Sequence, residues 1–511
     1  MKYIIQYNKI KAFVLTMNVL LLFSGGLMAQ SKEKPADIPK LKIAVEAHPG
    51  DIKVHRAFVN AMRKDSAGLV KQYEKWMQQF PAAAAVPFAF GEFYTNQESP
   101  AARPFLLKAV GLNPKLAAAW EELSTDAERW GDFKAANEYL AKAVAAAPNN
   151  PDYIYYYNNS FENSDPEKYY RLNMEMVKQF PKSQRSAQAI YWLAFKETDV
   201  EKKTALYEKL RTDFPLTKFS WSVYAMTEYF DLLLSTDPAR ALQLSNELMK
   251  LPGLDGENKK ELERAMKIAT QLRSVQQLLA ANKPEEASKI LAEVKSRKWS
   301  SQSQTVALLK ATASSNSGHT QQAYDSLLVC YVKTPVTPVK EALLTYADKL
   351  GKNKDAVDAE IWKKLSTDAK QASFTFDSYM SGNNISLKDY KGKVVLLTFW
   401  FPGCGPCRGE FPHFERVLKQ FNGTPVSYVG VNVARDQDAY VVPFMKSSGY
   451  SFTALKDNEA KRNNLEVRGA PSNYLIDQEG RIIFHSFMIQ NREEELMLQE
   501  MISLLLKHPA S

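Results

Sequence analysis

Two of the three cysteines in this chain are spaced for thiol chemistry. Cys404 and Cys407 enclose the dipeptide Gly405-Pro406, whereas Cys330 lies far from them in the sequence. At the start of a helix, free backbone N–H groups and the helix dipole stabilise negative charge and lower the pKa of the first sulfur. We therefore predict that Cys404 attacks a substrate disulfide as a thiolate. Cys407, one helical turn later, would displace the resulting mixed disulfide.

A zinc half-site is the alternative interpretation of this spacing. A structural zinc ion needs two further ligands, and the sequence offers only Cys330 and the nearby His413. A purely bracing disulfide fits less well, because an exported protein held by such bonds usually has more than three cysteines. We expect a redox-active pair, with no other cofactor and no metal.

The residues around the pair predict the elements that position it. Residues 393–400 are apolar nearly throughout, as in a strand buried on both faces, and residues 401–403 turn the chain into the helix. Strands and helices alternate from there on, which predicts an α/β domain over residues 366–511. The predicted strands are Val394–Trp400, Val426–Val433, Ser472–Ile476 and Arg481–Ser486, and the predicted helices are Gly409–Gln420, Asp438–Ser448, Glu459–Asn464 and Glu493–Leu506.

A different pattern, of regularly spaced prolines, precedes this domain. Because proline cannot continue a helix, each of these prolines is expected to end the second helix of a repeating pair. The spacing of 33 or 34 residues resembles the tetratricopeptide repeat and predicts an all-α solenoid over residues 30–365. The prolines are Pro81, Pro114, Pro148, Pro181 and Pro215, and the helices expected before them are Tyr73–Phe80, Ala102–Asn113, Ala135–Ala147, Tyr169–Phe180 and Lys203–Phe214.

Two features inside the repeats have both a structural and a functional interpretation. Cys330 falls where Ala143 falls in the clearest unit, residues 117–150, so it is expected to be a buried small side chain; a third redox thiol is the alternative. The tyrosines of residues 153–157 either pack within the repeats or line a groove for a ligand. Solenoids of this kind often hold a protein or peptide on their concave face, and the sequence does not identify that partner.

The first residues predict export. Lysines precede an apolar run from Ala12 to Phe23, and small residues lead to Ala29, after which the chain becomes polar. This order is typical of a secretory signal peptide, here residues 1–29. An uncleaved membrane anchor is the alternative. We expect the protein to be exported, and periplasmic if the cell has an outer membrane.

The charge balance argues against nucleic acid as a partner. The 511 residues carry 66 basic and 57 acidic side chains, a formal net charge of +9. We find no dense Lys/Arg block of the kind that marks a nucleic-acid surface. The sequence also lacks a phosphate-binding glycine loop, a His-Glu-x-x-His helix and a Gly-x-Ser-x-Gly elbow. The cysteine pair is therefore the one chemical site that the sequence supports.

Residues from about 374 to 506 resemble the exported thioredoxin-like thiol–disulfide oxidoreductases of the TlpA/ResA type. The likeness is spread along the whole domain in one order, which agrees with the strands and helices predicted above. The segments that carry it are Phe374–Phe376, Leu387–Val395, Phe399–Trp400, Cys404–Pro412, Val429–Asn432, Val467–Ser472, Leu475–Asp477 and Gly480–Ile482.

The resemblance implies further site residues. Pro471 is expected to follow a cis peptide bond and to face Cys404, where Ala470 and Pro471 would receive the substrate backbone; a cis bond is favourable only before proline. Glu410 matches the family's acidic residue beside the pair, where it would handle the proton of Cys407. An ordinary carboxylate on the helix surface is the alternative for Glu410. Trp400 matches a core tryptophan and is expected to pack.

Two departures from the family pattern concern the same site. Many relatives have a tryptophan immediately before the first cysteine, where this chain has Gly403. Thioredoxins also bury an aspartate in the preceding strand, where this chain has Thr398. The usual substrate contacts are therefore in question, and proton transfer would depend on Glu410 or water.

The sequence thus predicts a reductase of protein disulfides, since the Gly-Pro dipeptide matches thioredoxin, whose potential is about −270 mV. An exported reductase needs electrons, which implies a membrane electron donor. A repeat scaffold with an idle thioredoxin fold is the second hypothesis. Peroxide reduction is the third, although the Pro-x-x-x-Thr/Ser-x-x-Cys pattern of peroxiredoxins is absent.

Overall fold

The computed structural model describes residues 37–252, 256–296 and 301–508. The predicted signal peptide lies outside these ranges. In the part of the chain that the structure describes, no helix combines the length and the apolar character that a membrane span requires.

Helices account for the regular structure from residue 38 to residue 366. Consecutive helices contact each other along this region, as in helical repeats. They are α1 Ile38–Ala47, α2 Ile52–Met62, α3 Ser66–Gln79, α4 Ala85–Asn96, α5 Ala102–Leu112, α6 Ala117–Arg129, α7 Phe133–Ala146, α8 Pro151–Asn159, α9 Pro166–Gln179, α10 Gln184–Lys196, α11 Val200–Asp213, α12 Ser220–Thr236, α13 Pro238–Met249, α14 Gly256–Ala280, α15 Pro284–Glu293, α16 Ser301–Asn316, α17 Thr320–Lys333, α18 Thr337–Lys349 and α19 Lys354–Ser366.

The regularly spaced prolines end helices as predicted. Helices α3, α5, α7, α9 and α11 each stop two residues before one of the five prolines. Aspartates begin several of the same helices, because a side-chain carboxylate satisfies one of the free N–H groups of the first turn. Asp132 accepts from the N–H of Ala135 at 2.9 Å, and Asp165 accepts from the N–H of Lys168 at 3.0 Å. Proline breakers and aspartate caps together set the helix boundaries.

Small side chains let α7 lie close to its neighbours. Ala136, Leu140 and Ala143 are all buried along one side of this helix, which fits the expected packing of a repeat. Cys330 does not pack like the small residues of α7, because it is only half-buried, near the end of α17. The buried positions of that helix include Leu327 and Tyr331 instead. The expectation that Cys330 is a buried core residue was therefore wrong.

The tyrosines of α8 mainly pack. Tyr155 is buried, and the hydroxyl of Tyr156 accepts a hydrogen bond from Arg185 at 2.8 Å. The guanidinium of Arg185 lies over both rings, 5.2 Å and 4.9 Å from their centroids. These contacts favour the packing interpretation for the two tyrosines.

A seven-stranded mixed sheet follows the helices, in the order β2-β1-β5-β4-β3-β6-β7. Strand β3 is parallel to β4 and antiparallel to β6, and every one of its residues is buried, as its apolar sequence predicts. The strands are β1 Thr375–Ser378, β2 Asn384–Ser386, β3 Val394–Trp400, β4 Val426–Asn432, β5 Thr453–Lys456, β6 Ser472–Ile476 and β7 Ile482–His485; the helices are α20 Gly405–Lys419, α21 Asp438–Ser448 and α22 Arg492–Leu506.

This order confirms the predicted fold class, an all-α repeat region followed by an α/β thioredoxin-like domain. One predicted helix, Glu459–Asn464, was wrong: the chain makes only a short 3-10 turn at Glu459–Lys461. Its cap, Asn458, accepts from the N–H of Ala460 at 3.2 Å, and the turn closes within three residues. Helices and strands segregate along the chain, yet the compact units do not follow that boundary.

Contacts divide the described chain into two compact units. The first unit combines the described residues up to 147 with two later segments, 402–408 and 436–448. The second unit contains the remaining described residues, including all seven strands. The cysteine turn and α21 therefore belong to the same compact unit as the first seven helices.

A buried ion cluster ties α20 to α22 within the second unit. Glu495 is 2% exposed and accepts hydrogen bonds from His413 at 2.7 Å, Arg416 at 2.8 Å and Arg492 at 2.6 Å. Burial alone raises the pKa of a carboxyl group, but these three donors outweigh it and hold the pKa of Glu495 at about 2. The cluster therefore requires ionised Glu495.

The cluster predicts a loss of stability in acid. The pKa of Glu495 is depressed on folding, so its contribution is complete above about pH 4.5 and disappears as pH falls toward 2. We expect the free energy of unfolding to fall by about 2 kcal/mol over this window through Glu495. Urea unfolding from pH 6 to pH 2.5 measures it, with Glu495→Gln as comparison. Equal pH dependence in both proteins would contradict this role.

Candidate active site

The strand and turn before Cys404 deliver it to the start of a helix. Strand β3 ends at Trp400, and α20 begins at Gly405, so Cys404 is the N-cap residue. The N–H of Arg408 donates to the carbonyl of Cys404 at 3.1 Å, which is the first hydrogen bond of the helix. The N–H of Cys407 donates to Sγ of Cys404 at 3.2 Å. The sulfur thus occupies the place of an N-cap oxygen.

This geometry supplies the electrostatics that a nucleophilic thiol needs. In the structure Cys404 and Cys407 form a disulfide, with their Cα atoms 5.3 Å apart. After reduction, the N–H of Cys407 and the helix dipole would stabilise a negative charge on Cys404. Cys404 is only 3% exposed and Cys407 is fully buried. A substrate therefore has little access to either sulfur in the oxidised protein.

Glu410 is a buried carboxylate, so the alternative of a helix-surface residue was wrong. Its side chain is 0% exposed. It accepts from the N–H of Ile489 at 2.7 Å and from the side-chain amide of Asn473 at 3.0 and 3.1 Å. Glu410 follows Cys407 by three residues, which places both on one side of α20. These neutral donors hold the carboxylate inside the domain.

The neighbouring strand fixes this carboxylate beside the centre of the sheet. Asn473 lies on β6, directly opposite Thr398 of β3. Thr398, at the position where thioredoxins have an aspartate, is buried. The carboxylate of Glu410 is hydrogen-bonded to Asn473, the residue that pairs with Thr398 across the two strands. The amide of Asn473 also donates to the carbonyl of Phe487 at 3.0 Å, which fixes its orientation.

Ala470 and Pro471 are joined by a cis peptide bond, as the resemblance implied. Both residues are half-buried and lie immediately before β6. Ser472, the first residue of β6, pairs with Phe399 near the end of β3. The start of β6 and the end of β3 therefore share one edge of the sheet, the edge from which the chain continues toward Cys404.

Trp400 packs in the core, as expected. It is fully buried and meets the rings of Phe411 and Phe452 edge-on, with centroids 5.2 and 5.1 Å away. These contacts link the end of β3 to α20 within the second unit.

Sequence reasoning missed a set of polar residues around the turn before Cys404. The N–H of Gly403 donates to the side-chain oxygen of Gln437 at 2.6 Å, and the amide of Gln437 donates to Glu98. Arg408 donates to the carbonyl of Pro402 at 2.6 Å. It also pairs with Glu128 at 2.8 Å. The only sequence signal for these contacts was glycine in place of tryptophan at 403. It indicated that the turn is unusual but did not identify the residues that contact it.

The zinc alternative would need further ligands close to the cysteine pair. Among residues 37–252, 256–296 and 301–508, no group of three or more His, Cys, Asp or Glu side chains is placed to hold a metal ion. The two sulfurs are bonded to each other in this structure.

Comparisons with known proteins match the C-terminal domain. Residues 367–485 match the AhpC/TSA family. Thiol-disulfide oxidoreductase ResA of Bacillus subtilis is 38% identical over 104 residues, which are 20% of this chain and 58% of that protein. The thioredoxin-like protein YneN of the same organism is 34% identical over 105 residues, 20% of this chain and 61% of that protein. The chain thus spans about three fifths of the length of these relatives.

Solved structures align with the same part of the chain. The thioredoxin domain of a thiol-disulfide oxidoreductase from Bacteroides vulgatus is 23% identical, with a TM-score of 0.24. The alignment covers 26% of this chain and 96% of that domain. The sequence matches and the seven-stranded sheet together show that the C-terminal part of the chain has a thioredoxin-like fold, matches the AhpC/TSA family over residues 367–485 and is similar to the ResA thiol–disulfide oxidoreductases.

Proposed function

We propose that this protein is an exported thiol–disulfide oxidoreductase that reduces protein disulfides through Cys404 and Cys407. The observation that carries the proposal is the N-cap position of Cys404, where the N–H of Cys407 lies 3.2 Å from its sulfur. In this proposal residues 1–29 are a signal peptide, residues 30–365 are tetratricopeptide-like repeats that recognise a protein or peptide partner, and residues 366–511 are the redox domain. The export signal gives a periplasmic location in a cell with an outer membrane, and retention of residues 1–29 would instead leave a membrane anchor.

The proposed reaction is a two-step thiol–disulfide exchange. The thiolate of Cys404 attacks one sulfur of the substrate disulfide, forms a mixed disulfide and releases the first substrate thiolate. The thiolate of Cys407 then attacks Cys404, which releases the second substrate thiolate. The substrate gains two electrons and two protons, and the protein is left with the Cys404–Cys407 disulfide seen in the structure.

Two groups would assist these steps. Glu410 would accept the proton of Cys407 so that it can attack as a thiolate; the burial of the carboxylate and its shell of neutral donors support this role. Ala470 and Pro471 would bind the substrate backbone at the edge shared by β3 and β6. Return of the protein to its dithiol form needs a reductant, which we propose to be a membrane electron donor.

The reduction potential of the cysteine pair tests the direction of the reaction. We expect a value below about −230 mV, since the Gly-Pro dipeptide occurs in the strongly reducing thioredoxin. A gel-shift titration in defined thiol buffers measures it. A value near about −120 mV would instead make the protein an oxidant. A pair that never forms a disulfide would contradict both directions.

Burial of the sulfurs favours a second candidate, a binding scaffold whose cysteine pair is redox-idle. Cys404 is 3% exposed in the oxidised state, so access to it is restricted. A partner that binds the repeats equally well with Cys404→Ser, in a protein without disulfide-exchange activity, would support this candidate. The AhpC/TSA match also keeps peroxide reduction testable, by peroxide turnover of the reduced protein.

A further inference from the structure

The loop between α4 and α5 places a glutamate where helices usually have glycine. Glu98 has a φ of 53°, in the left-handed region that non-glycine residues seldom adopt. The N–H of Glu98 donates to the carbonyl of Thr95, and the N–H of Ser99 donates to the carbonyl of Tyr94, both at 2.9 Å. These hydrogen bonds form the Schellman motif, whose left-handed position is usually glycine. The side chain at this position therefore needs an explanation beyond the end of the helix.

The same unit has a glycine where a side chain would collide with Glu98. A Cβ built on Gly403 would overlap the carboxylate of Glu98 and lie 2.9 Å from the amide nitrogen of Gln437. Such contacts are closer than van der Waals separation, so any other residue at 403 would displace Glu98. The position of the Glu98 side chain therefore depends on having glycine at 403. Its carboxylate occupies the space next to the turn that leads into Cys404.

Hydrogen bonds and packing hold the arrangement in place. Gln437 bridges the two partners, accepting from the N–H of Gly403 at 2.6 Å and donating to Glu98. Thr95, three residues before Glu98, accepts from the buried Arg129 through its carbonyl at 3.0 Å. The ring of Trp130, the residue that follows α6, meets the ring of Tyr440 of α21 edge-on, with centroids 4.8 Å apart. The carboxylate is therefore built into the structure.

Arg408 and Glu98 are charged side chains that lie against the turn itself. Arg408 and Glu128 form an ion pair at 2.8 Å, so these two charges largely offset each other. Glu98 is hydrogen-bonded by the neutral amide of Gln437. Because the Glu98 carboxylate lies beside Gly403 and Cys404 is the next residue, chain geometry puts the carboxylate within about 10 Å of the sulfur. At that distance a unit charge acts on an approaching ion.

We infer that Glu98 is a specificity-determining residue of the redox site, which makes Cys404 react faster with cationic disulfides than with anionic disulfides of similar size. This inference rests on the proposed function, because it concerns the exchange step itself. In that step the reduced protein gains a disulfide, and the small disulfide is reduced to two thiols. A substrate with basic residues flanking its disulfide fits this site better than one with acidic residues.

Two small probes of opposite charge test the inference on the full, reduced chain. The probes are cystamine, which carries two ammonium groups, and 3,3′-dithiodipropionate, which carries two carboxylates. The readout is the ratio of their second-order rates of oxidation of the cysteine pair, at low ionic strength and pH 7. Glu98→Gln keeps the size and hydrogen-bonding capacity of the side chain and removes its charge. We expect it to lower the cationic-to-anionic ratio about fivefold, and we expect added salt to lower the wild-type ratio in the same direction.

Three further variants separate a specific effect of Glu98 from general damage. Glu138→Gln removes an exposed carboxylate of α7 in the same unit and is expected to keep the wild-type ratio. Gly403→Ala would displace the carboxylate, so it is expected to lower the ratio as Glu98→Gln does. The cationic-to-anionic rate ratio of the double variant Gly403→Ala/Glu98→Gln is expected to be no lower than that of either single variant, because the two changes remove the same interaction.

The outcomes distinguish this inference from the proposed function. Wild-type rates that are measurable with both probes, and a ratio that Glu98→Gln leaves unchanged, would overturn the specificity role and leave the exchange activity standing. A wild-type pair that reacts with neither probe would overturn the proposed function and the inference with it. A drop in the ratio with Glu138→Gln as large as with Glu98→Gln would also overturn the inference, since the effect would then be one of net charge.

Discussion

Replacement of Cys404 by serine is expected to reduce the rate of insulin disulfide reduction about a thousandfold or more. The nucleophile in exchange is the thiolate, and a serine hydroxyl does not ionise near neutral pH to replace it. The N–H of Cys407 and the start of α20 stabilise charge only if the atom at this position carries it. Turbidity of insulin in the presence of a dithiol reductant measures the rate. Full activity of Cys404→Ser would exclude the proposed mechanism.

Two companion variants define the roles of the other cysteines. Cys407→Ser is expected to stop the reaction at the mixed disulfide, so substrate should remain covalently attached to Cys404 and be detectable by intact-mass spectrometry. Cys330→Ser is the matched control. Partial burial raises the pKa of Cys330, which disfavours its thiolate, and we expect this variant to react like the wild type. A large loss of activity with Cys330→Ser would identify a third redox thiol.

Removal of the Glu410 carboxylate is expected to affect both stability and rate. In Glu410→Ala the N–H of Ile489 and the amide of Asn473 lose their buried acceptor, which destabilises the domain by about 2–3 kcal/mol. In Glu410→Gln the size is kept but a proton acceptor is lost, so we expect resolution of the mixed disulfide to slow by about 10²-fold. Urea unfolding measures the first effect, and the decay of the mixed disulfide in chains that keep Cys407 measures the second.

A surface glutamate of the same domain provides the comparison. Glu466 and its partner Arg468 have side chains that are 72% and 70% exposed, so Glu466→Gln is expected to change neither the stability nor the rate measurably. If Glu410→Gln left the rate of resolution unchanged while Glu410→Ala lowered the stability, Glu410 would be a structural group alone, and proton transfer would pass through water.

The elements that carry strong local signals could be predicted. Apolar residues fill Val394–Trp400 except at Thr398, and this is sufficient to identify a central strand before the structure is known. The prolines from Pro81 to Pro215 mark helix ends because the constraint lies within proline itself. Strand β5, Thr453–Lys456, was missed because four residues at a sheet position give little periodicity. A strand this short is stabilised mainly by pairing with its neighbours, here β1 and β4.

The site was predictable where chemistry is encoded in adjacent residues. The spacing of Cys404 and Cys407 marks them as a pair, and the strand and helix predicted around them favour the redox interpretation. The burial of Glu410 was not, because it depends on Asn473 and Ile489, which lie 63 and 79 residues away in the sequence. Glu98 is more remote still, and nothing near it in the chain resembles a redox site. Gly403 showed that something differed at this turn, and the three-dimensional structure was needed to show what fills the space.

The contact between Glu98 and Gln437 also joins parts of the chain that are synthesised at very different times. The two residues are 339 positions apart, and Glu128 and Arg408 are 280 positions apart. At ribosomal rates of about 5–20 residues per second, the first helices wait roughly 15–70 s for the segments that complete their unit. During this time the surface that later meets α21, including Trp130 and Phe133, stays uncovered. The first compact unit therefore cannot be completed until residue 448 has been made.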